Sequence, residues 1–291
     1  TDGEIVDKWE IKTRTENQGE AVLPDIAEAL KEKLEEKKIG RDEVEGIGVG
    51  VPAPVTAEGV VNGSANLGWK YKEAKKELEE LTGMKATFGN DANVAALGEY
   101  FKGGGRGYSD MLMVTLGTGV GGGVILDGKI VAGATGGAGE IGHMPVAPGN
   151  TEVCNCGKND CLELVASATG IVREAKKAMK NTDIPTPLRD MVDITAKDVI
   201  DLAKTGDALA LSVMDIMGDA LARAIANVAC TVNMEAVVIG GGVSKAGAFL
   251  LDFIEEKFKK VVFRPCGKVK FIMAELGNDG GIYGAAALVL G

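Results

Sequence analysis

No long run of lysine or arginine occurs in this 291-residue chain, whose 32 Lys and Arg are outnumbered by 42 Asp and Glu for a formal charge of −10. That balance excludes nucleic acid or an anionic membrane as the main partner and leaves small ligands. Although 45% of the residues are hydrophobic, no uninterrupted apolar stretch approaches the roughly 20 residues a membrane span needs. The Thr1-Asp2-Gly3-Glu4 start has none of the character of a secretory signal, so a cytosolic location is expected. Cysteines number only five, too few and too clustered for a disulfide framework, and free or metal-bound thiols suit a reducing compartment. Internal repeats and low-complexity linkers are missing too. So are the G-x-x-x-x-G-K-[ST] loop and the Rossmann glycine context, which excludes two common nucleotide-binding folds.

What is present starts with the single histidine. His143 stands eleven residues before Cys154-x-Cys156-x4-Cys161, a spacing that reads as a tetrahedral Cys3His zinc site of the structural kind. Buried free thiols or a redox pair are the plainer alternative. Against it, the cluster lies among Pro148-Gly149-Asn150-Thr151 and Gly157-Lys158-Asn159-Asp160, loop residues with no apolar period to bury a thiol. Glu140 and Glu163 flank the cluster, so a metal that fixed this loop would fix two carboxylates as well. Cys230 and Cys266 lie in or beside apolar runs and read as small core residues.

Along the chain, strand-like and helix-like periods alternate, which predicts an α/β protein, and the length predicts two domains. Strands are expected at 5–12, 46–51, 85–88, 111–116, 124–126, 236–239 and 269–274, the first exposed and the second buried. Helices are expected at 19–37, 71–82, 92–101, 164–179, 196–204, 207–232, 247–259 and 280–290. Asp91 falls where a strand end meets a helix start, which fits either an N-cap or a reactive carboxylate. Three glycine-rich turns follow strands. Singly, each reads as a tight turn or bulge. Gly117-Thr118-Gly119 could also bring bare N–H groups to an anion, with Thr115 and Thr118 adding hydroxyls. Gly240-Gly241-Gly242 could lie against the flat part of a nucleotide.

Taken together, these segments resemble the sugar kinases of the repressor/open reading frame/kinase (ROK) family, and most of all its bacterial glucokinases. The zinc-loop signature is carried by Glu140-Ile141-Gly142-His143, Cys154-Asn155-Cys156-Gly157 and Cys161-Leu162-Glu163. The catalytic segment is similar to Gly89-Asn90-Asp91-Ala92-Asn93, the second phosphate loop to Leu116 through Gly121, and the adenosine segment to Ile239 through Ser244. Ser64-Ala65-Asn66-Leu67-Gly68-Trp69 is similar to the sugar-contacting loop.

The resemblance implies a two-lobed ribonuclease-H-like fold of the actin and hexokinase type. Its small lobe would comprise 1–90 plus 278–291 and its large lobe 91–277. It also implies a reaction, ATP-dependent phosphorylation of a hexose, glucose first among several. Asp91 would act as general base; Asn66, Asn90, Glu140, His143 and Glu163 would hold the sugar. Gly117, Thr118, Gly119, Gly240, Gly241 and Gly242 would hold ATP, and magnesium would arrive with it. Zinc on His143, Cys154, Cys156 and Cys161 would be structural. A homodimer or homotetramer is expected. The family's usual first strand and first phosphate loop have no counterpart here, and Ala53 stands where the family usually has glycine. The chain as written is therefore expected to bind zinc and sugar but to phosphorylate poorly or not at all. A sugar-binding regulator of the same family and a catalytically inert sugar-binding protein are the alternatives; a regulator would carry a helix-turn-helix, which is not visible here.

Overall fold

The computed structural model describes residues 3–291, so the first half of the Thr1–Glu4 turn lies outside the described residues. In chain order the elements are α1 (Glu16–Gly19), α2 (Val22–Lys37), β1 (Ile47–Val51), α3 (Ala74–Thr82), β2 (Ala86–Asn90) and α4 (Asp91–Phe101). Next come β3 (Met111–Leu116), β4 (Val120–Leu126), β5 (Lys129–Ile130), α5 (Glu163–Ala166), α6 (Ala168–Asn181), α7 (Ala196–Lys204) and α8 (Ala208–Val232). The chain closes with β6 (Ala236–Gly240), α9 (Ala248–Val261), β7 (Lys270–Met273) and α10 (Gly280–Leu290).

The larger sheet has the order β5-β4-β3-β6-β7. Strands β3 and β4 run antiparallel, whereas β3, β6 and β7 are parallel neighbours. Helices cover both faces, which is why its central strands are nearly continuous apolar runs. The two-residue period of β3 sends Leu112, Val114 and Leu116 toward the core built on α8, and Met111 and Met113 toward Ala96 and Leu97 of α4. Helix α8 is apolar almost all round, burying Met214, Met217, Leu221 and Ile225 among others, as expected of a helix enclosed by its neighbours. Phe258 of α9 is fully buried and meets Phe271 of β7 edge-on, centroids 5.2 Å apart. Burial of a ring of that size contributes about 1.5–3 kcal/mol.

A second, two-stranded sheet pairs β1 with β2 in parallel, from Ile47↔Ala86 to Val51↔Asn90. Its own core gathers Leu23, Val51, Val61, Leu78 and Phe88. Trp69 belongs to this core: it is 4% exposed, and its indole N–H donates to Gly19 O at 3.1 Å. Between the two sheets, α4 and α10 cross at van der Waals distance. A Cβ on Gly98 would stand 2.0 Å from Gly280 O, and one on Gly284 would stand 1.7 Å from Val94 O. Only glycine permits that approach of two backbones.

Several sequence expectations are corrected by these elements. Residues 5–12 form no strand, because no neighbour offers a ladder to pair with. Strand β1 is only half buried, with Val51 its single buried residue. The glycines at 121–123 do not extend the turn after β3; they are ladder residues of β4 opposite Thr115, Val114 and Met113. The expected helix over 164–179 is two helices, α5 and α6, broken at Ser167, whose backbone is extended and whose hydroxyl oxygen caps α6 by accepting from Gly170 N–H at 3.0 Å. Cys230 is exposed and Cys266 half-buried, so neither is a core thiol: apolar runs carry outward positions too, and Cys230 occupies one of them near the C-terminal end of α8. Among the described residues no helix is long and apolar enough to cross a membrane.

Candidate active site and metal centre

The chain reaches the site where strands end. Strand β2 finishes at Asn90 and α4 begins at Asp91 without an intervening loop. The first turn of α4 leaves N–H groups without helical partners, and Asn90 meets them as N-cap. Its Oδ1 accepts from Ala92 N–H at 3.0 Å and from Asn93 N–H at 3.2 Å, while its amide donates to Ala53 O at 3.4 Å. The capping duty that could have fallen to Asp91 is therefore discharged one residue earlier. Asp91 Oδ1 shares the Ala92 N–H at 2.8 Å, and its carboxylate stays exposed. Surrounding protein removes part of its water shell and raises its pKa above the ordinary 3.8, with the Ala92 N–H and its own N–H opposing the shift.

The two glycine turns sit side by side because β3 and β6 are parallel neighbours, paired up to Thr115↔Gly240. Ligand sites of α/β sheets gather at such carboxyl ends. Gly241 holds φ +86°, a conformation that suits glycine, and a Cβ there would stand 2.5 Å from Leu116 O. The first turn is tied to the start of α6: Ala168 N–H donates to Gly117 O and the Thr169 hydroxyl to Thr118 O, both at 2.8 Å. Beside the second turn opens a cavity of about 310 Å³ lined by Ala168, Thr195, Lys197, Gly242, Val243 and Lys245. Its α7 residues carry no motif, and only the tertiary structure brings them beside Gly242. A separate groove of about 670 Å³ between residues 3–9, α2, β1 and α10 contains neither glycine turn, nor Asp91, nor the cysteine cluster.

His143, Cys154, Cys156 and Cys161 converge as their spacing predicts, with all four ligand atoms within 4.8 Å of one another. Cys154 Sγ lies 3.5 Å from His143 Nδ1 and Cys156 Sγ 3.3 Å from Cys161 Sγ. A tetrahedral ion with bonds of about 2.0–2.3 Å has ligand–ligand edges of roughly 3.3–3.8 Å, so small adjustments seat one metal. The loop is held by Cys154 N–H on Lys158 O, Gly157 N–H on Cys154 O, and a bridge between Pro145 and Cys161. Burial pushes the Cys154 and Cys161 thiols up, whereas the Lys158 N–H beside the exposed Cys156 lowers that thiol. Glu163 connects this loop to the Gly117–Gly119 turn. Its Oε1 is 3.0 Å from Cys154 Sγ, and its Oε2 is 2.9 Å from where a Cβ on Gly119 would stand. Glu140 is exposed and His143 half-buried, on a short 3-10 turn at 141–143. Asn66 is exposed in the turn closed by the Ser64↔Trp69 bridge.

Comparison with known proteins follows the same lines. The sequence profile of the ROK family matches residues 1–291. The chain is 45% identical over 294 aligned residues to a glucokinase of Halalkalibacterium halodurans, covering 99% of this chain and 89% of that protein. Its structure is similar to that of a ROK family glucokinase from Streptomyces griseus solved in complex with glucose and AMPPNP. The TM-score is 0.75 and the identity 31%, with 99% of this chain and 92% of that one covered. A ROK family transcriptional regulator, a homologue of the E. coli MLC protein, is similar at TM-score 0.80 and 26% identity, over 92% of this chain and 68% of that one.

Proposed function

We propose that this chain, which belongs to the ROK family and has its two-lobed fold of the actin and hexokinase type, is an ATP-dependent hexose kinase with glucose as its first substrate. The observation that carries the reading is Asp91: a carboxylate at a helix start, relieved of capping by Asn90, exposed, and raised in pKa by its surroundings. Those are the properties a general base for a sugar hydroxyl needs. The 45% identity to a glucokinase favours a kinase over a regulator, since the regulator of similar structure is only 26% identical.

In the reaction the sugar 6-oxygen forms a bond to the γ-phosphorus as the bond from that phosphorus to the β,γ-bridging oxygen breaks, and the hydroxyl proton passes to Asp91 Oδ. Gly117, Thr118 and Gly119 would present N–H groups to the phosphates. Gly240, Gly241 and Gly242, with the cavity beside Thr195 and Lys245, would receive the nucleoside. Magnesium bound with ATP would neutralise charge on the phosphates. Asn66, Asn90, Glu140, His143 and Glu163 would bind the remaining sugar hydroxyls. His143, Cys154, Cys156 and Cys161 would hold a structural zinc ion, and their convergence supports this. The lobe division at 1–90 with 278–291 and at 91–277 is supported by separate cores on the two sheets. A cytosolic homodimer or homotetramer completes the reading, to be checked by light scattering. Calorimetry against a panel of hexoses, followed by a coupled assay with MgATP, tests the function: failure to bind or phosphorylate any hexose would overturn it.

A further inference from the structure

Asn93 is the member of the Asn90–Asn93 run to which the proposed reaction gives no task. It is 5% exposed in the first turn of α4, and its Oδ1 is buried without a hydrogen-bond partner. Among the described residues only Arg173 Nε shares that condition. A buried amide oxygen stripped of water and given no donor is costly, and a fold keeps one when something else requires it. The packing shows what it faces. A Cβ on Gly139 would stand 3.1 Å from Asn93 Oδ1, 3.0 Å from Gly122 O and 3.3 Å from Gly123 Cα. At this level β4 has no outer partner, because β5 pairs only with Ile125 and Leu126, so residues 139–140 run along its free edge. The N–H groups of half-buried Gly139 and exposed Glu140 donate to no protein group among the described residues, so they are free to change partner. A buried acceptor without a partner thus faces Gly139, with Asp91 two residues away along one segment and Glu140 next along the other.

We propose that Asn93 is a positioning residue for Glu140: when a hexose fills the site, Asn93 Oδ1 takes the N–H of Gly139 or Glu140 and holds the Glu140 carboxylate against the sugar. The inference rests on the hexose-kinase reading and deepens it. One side chain on the helix that starts with the base would also fix the loop that orients the substrate, so base and sugar keep a common frame. Gly121 and Gly123 make the arrangement possible. A Cβ on Gly121 would come within 3.2 Å of Ala92 Cβ, and one on Gly123 would lie 2.5 Å from Ala96 Cβ and 3.3 Å from Asn93 Cα, so bare backbone lets α4 lie flat on β4.

The test uses the full chain with its metal and compares Asn93→Ala, Asn93→Asp, Glu140→Gln and the Asn93→Ala/Glu140→Gln pair. Glucose affinity is read by calorimetry without nucleotide, and KM for glucose and for ATP by the coupled assay. Asn93→Ala should weaken glucose binding about tenfold or more and raise the glucose KM to match, leaving the ATP KM within about threefold. Asn93→Asp keeps an oxygen acceptor and should hold glucose affinity within about threefold. The pair should lose less than the product of the single losses, because both act through one carboxylate. Wild-type affinity in Asn93→Ala, a parallel rise in both KM values, or multiplicative losses in the pair would each overturn the proposal. If Asn93→Ala does not fold, Asn93→Ser, whose shorter side chain cannot reach Gly139, carries the same expectation. Failure of the wild-type chain to bind any hexose would instead strike the functional reading itself.

Discussion

Replacing Asp91 by asparagine separates chemistry from structure, because the structure divides the two duties between neighbouring residues. Removing a positioned general base slows proton transfer about 10²- to 10⁴-fold, which at about 1.36 kcal/mol per decade is roughly 2.7–5.4 kcal/mol of barrier. The same change costs the fold little. Asn90 keeps its bonds to Ala92 and Asn93 N–H, the introduced amide oxygen can keep the shared Ala92 contact, and the position is exposed. Loss of a negative charge at the first turn of α4 is worth about 0.3–1 kcal/mol. The pKa shift sets the sign. Because burial raises the folded value above the ordinary 3.8, folding favours the neutral carboxyl, and that contribution is present below pH 4 and lost as pH rises through the raised value. Asp91→Asn should therefore be at least as stable as wild type at pH 7 and lose that advantage in acid. The coupled assay, glucose calorimetry and thermal unfolding are run on the same preparations. A kcat within threefold of wild type, or a loss of rate that tracks a loss of fold, would refute the assignment of Asp91 as base.

Four further outcomes are expected. The acid limb of the wild-type kcat/KM profile should lie above the ordinary carboxylate range, since Asp91 must be ionised to accept the proton and its pKa is raised. Asn90→Ala should cost about 1–2 kcal/mol in thermal unfolding through the lost cap, the reverse of Asp91→Asn. Zinc content should be one per chain. Because the buried Cys154 and Cys161 thiols hold their protons tightly, a metal indicator should register release as pH falls, and Cys161→Ser should lower both metal content and melting temperature. Gly284→Ala, whose Cβ would stand 1.7 Å from Val94 O, should destabilise by more than about 3 kcal/mol or prevent folding. Gly281→Ala in the same helix meets nothing within 4 Å and should be neutral or stabilising by up to about 1 kcal/mol.

The convergence of His143 with Cys154, Cys156 and Cys161 was legible in the sequence, because the four lie within one short stretch of chain and their spacing constrains where they meet. The α/β alternation and most element cores were legible too, since hydrophobic period reports which face is buried. Boundaries slipped where backbone chemistry decides, as at Ser167, an extended cap that divides α5 from α6. The expected strand over 5–12 failed for a different reason: a strand exists only with a partner, and pairing is not local.

By itself, the sequence determined the four-ligand cluster, the acidic surface, the strand-then-glycine turns and a carboxylate at a strand–helix junction, all properties of residues near one another in the chain. Only the tertiary structure decided that Asn90 rather than Asp91 caps α4, that Gly121 and Gly123 serve close helix packing, and that α7 brings Thr195 and Lys197 beside Gly242. It also placed the unpartnered oxygen of Asn93 against Gly139, far along the chain. The physical reason is the same in each case. Hydrogen-bond satisfaction and backbone contact are settled by which distant segments the packed sheets hold together, and no local pattern records that choice.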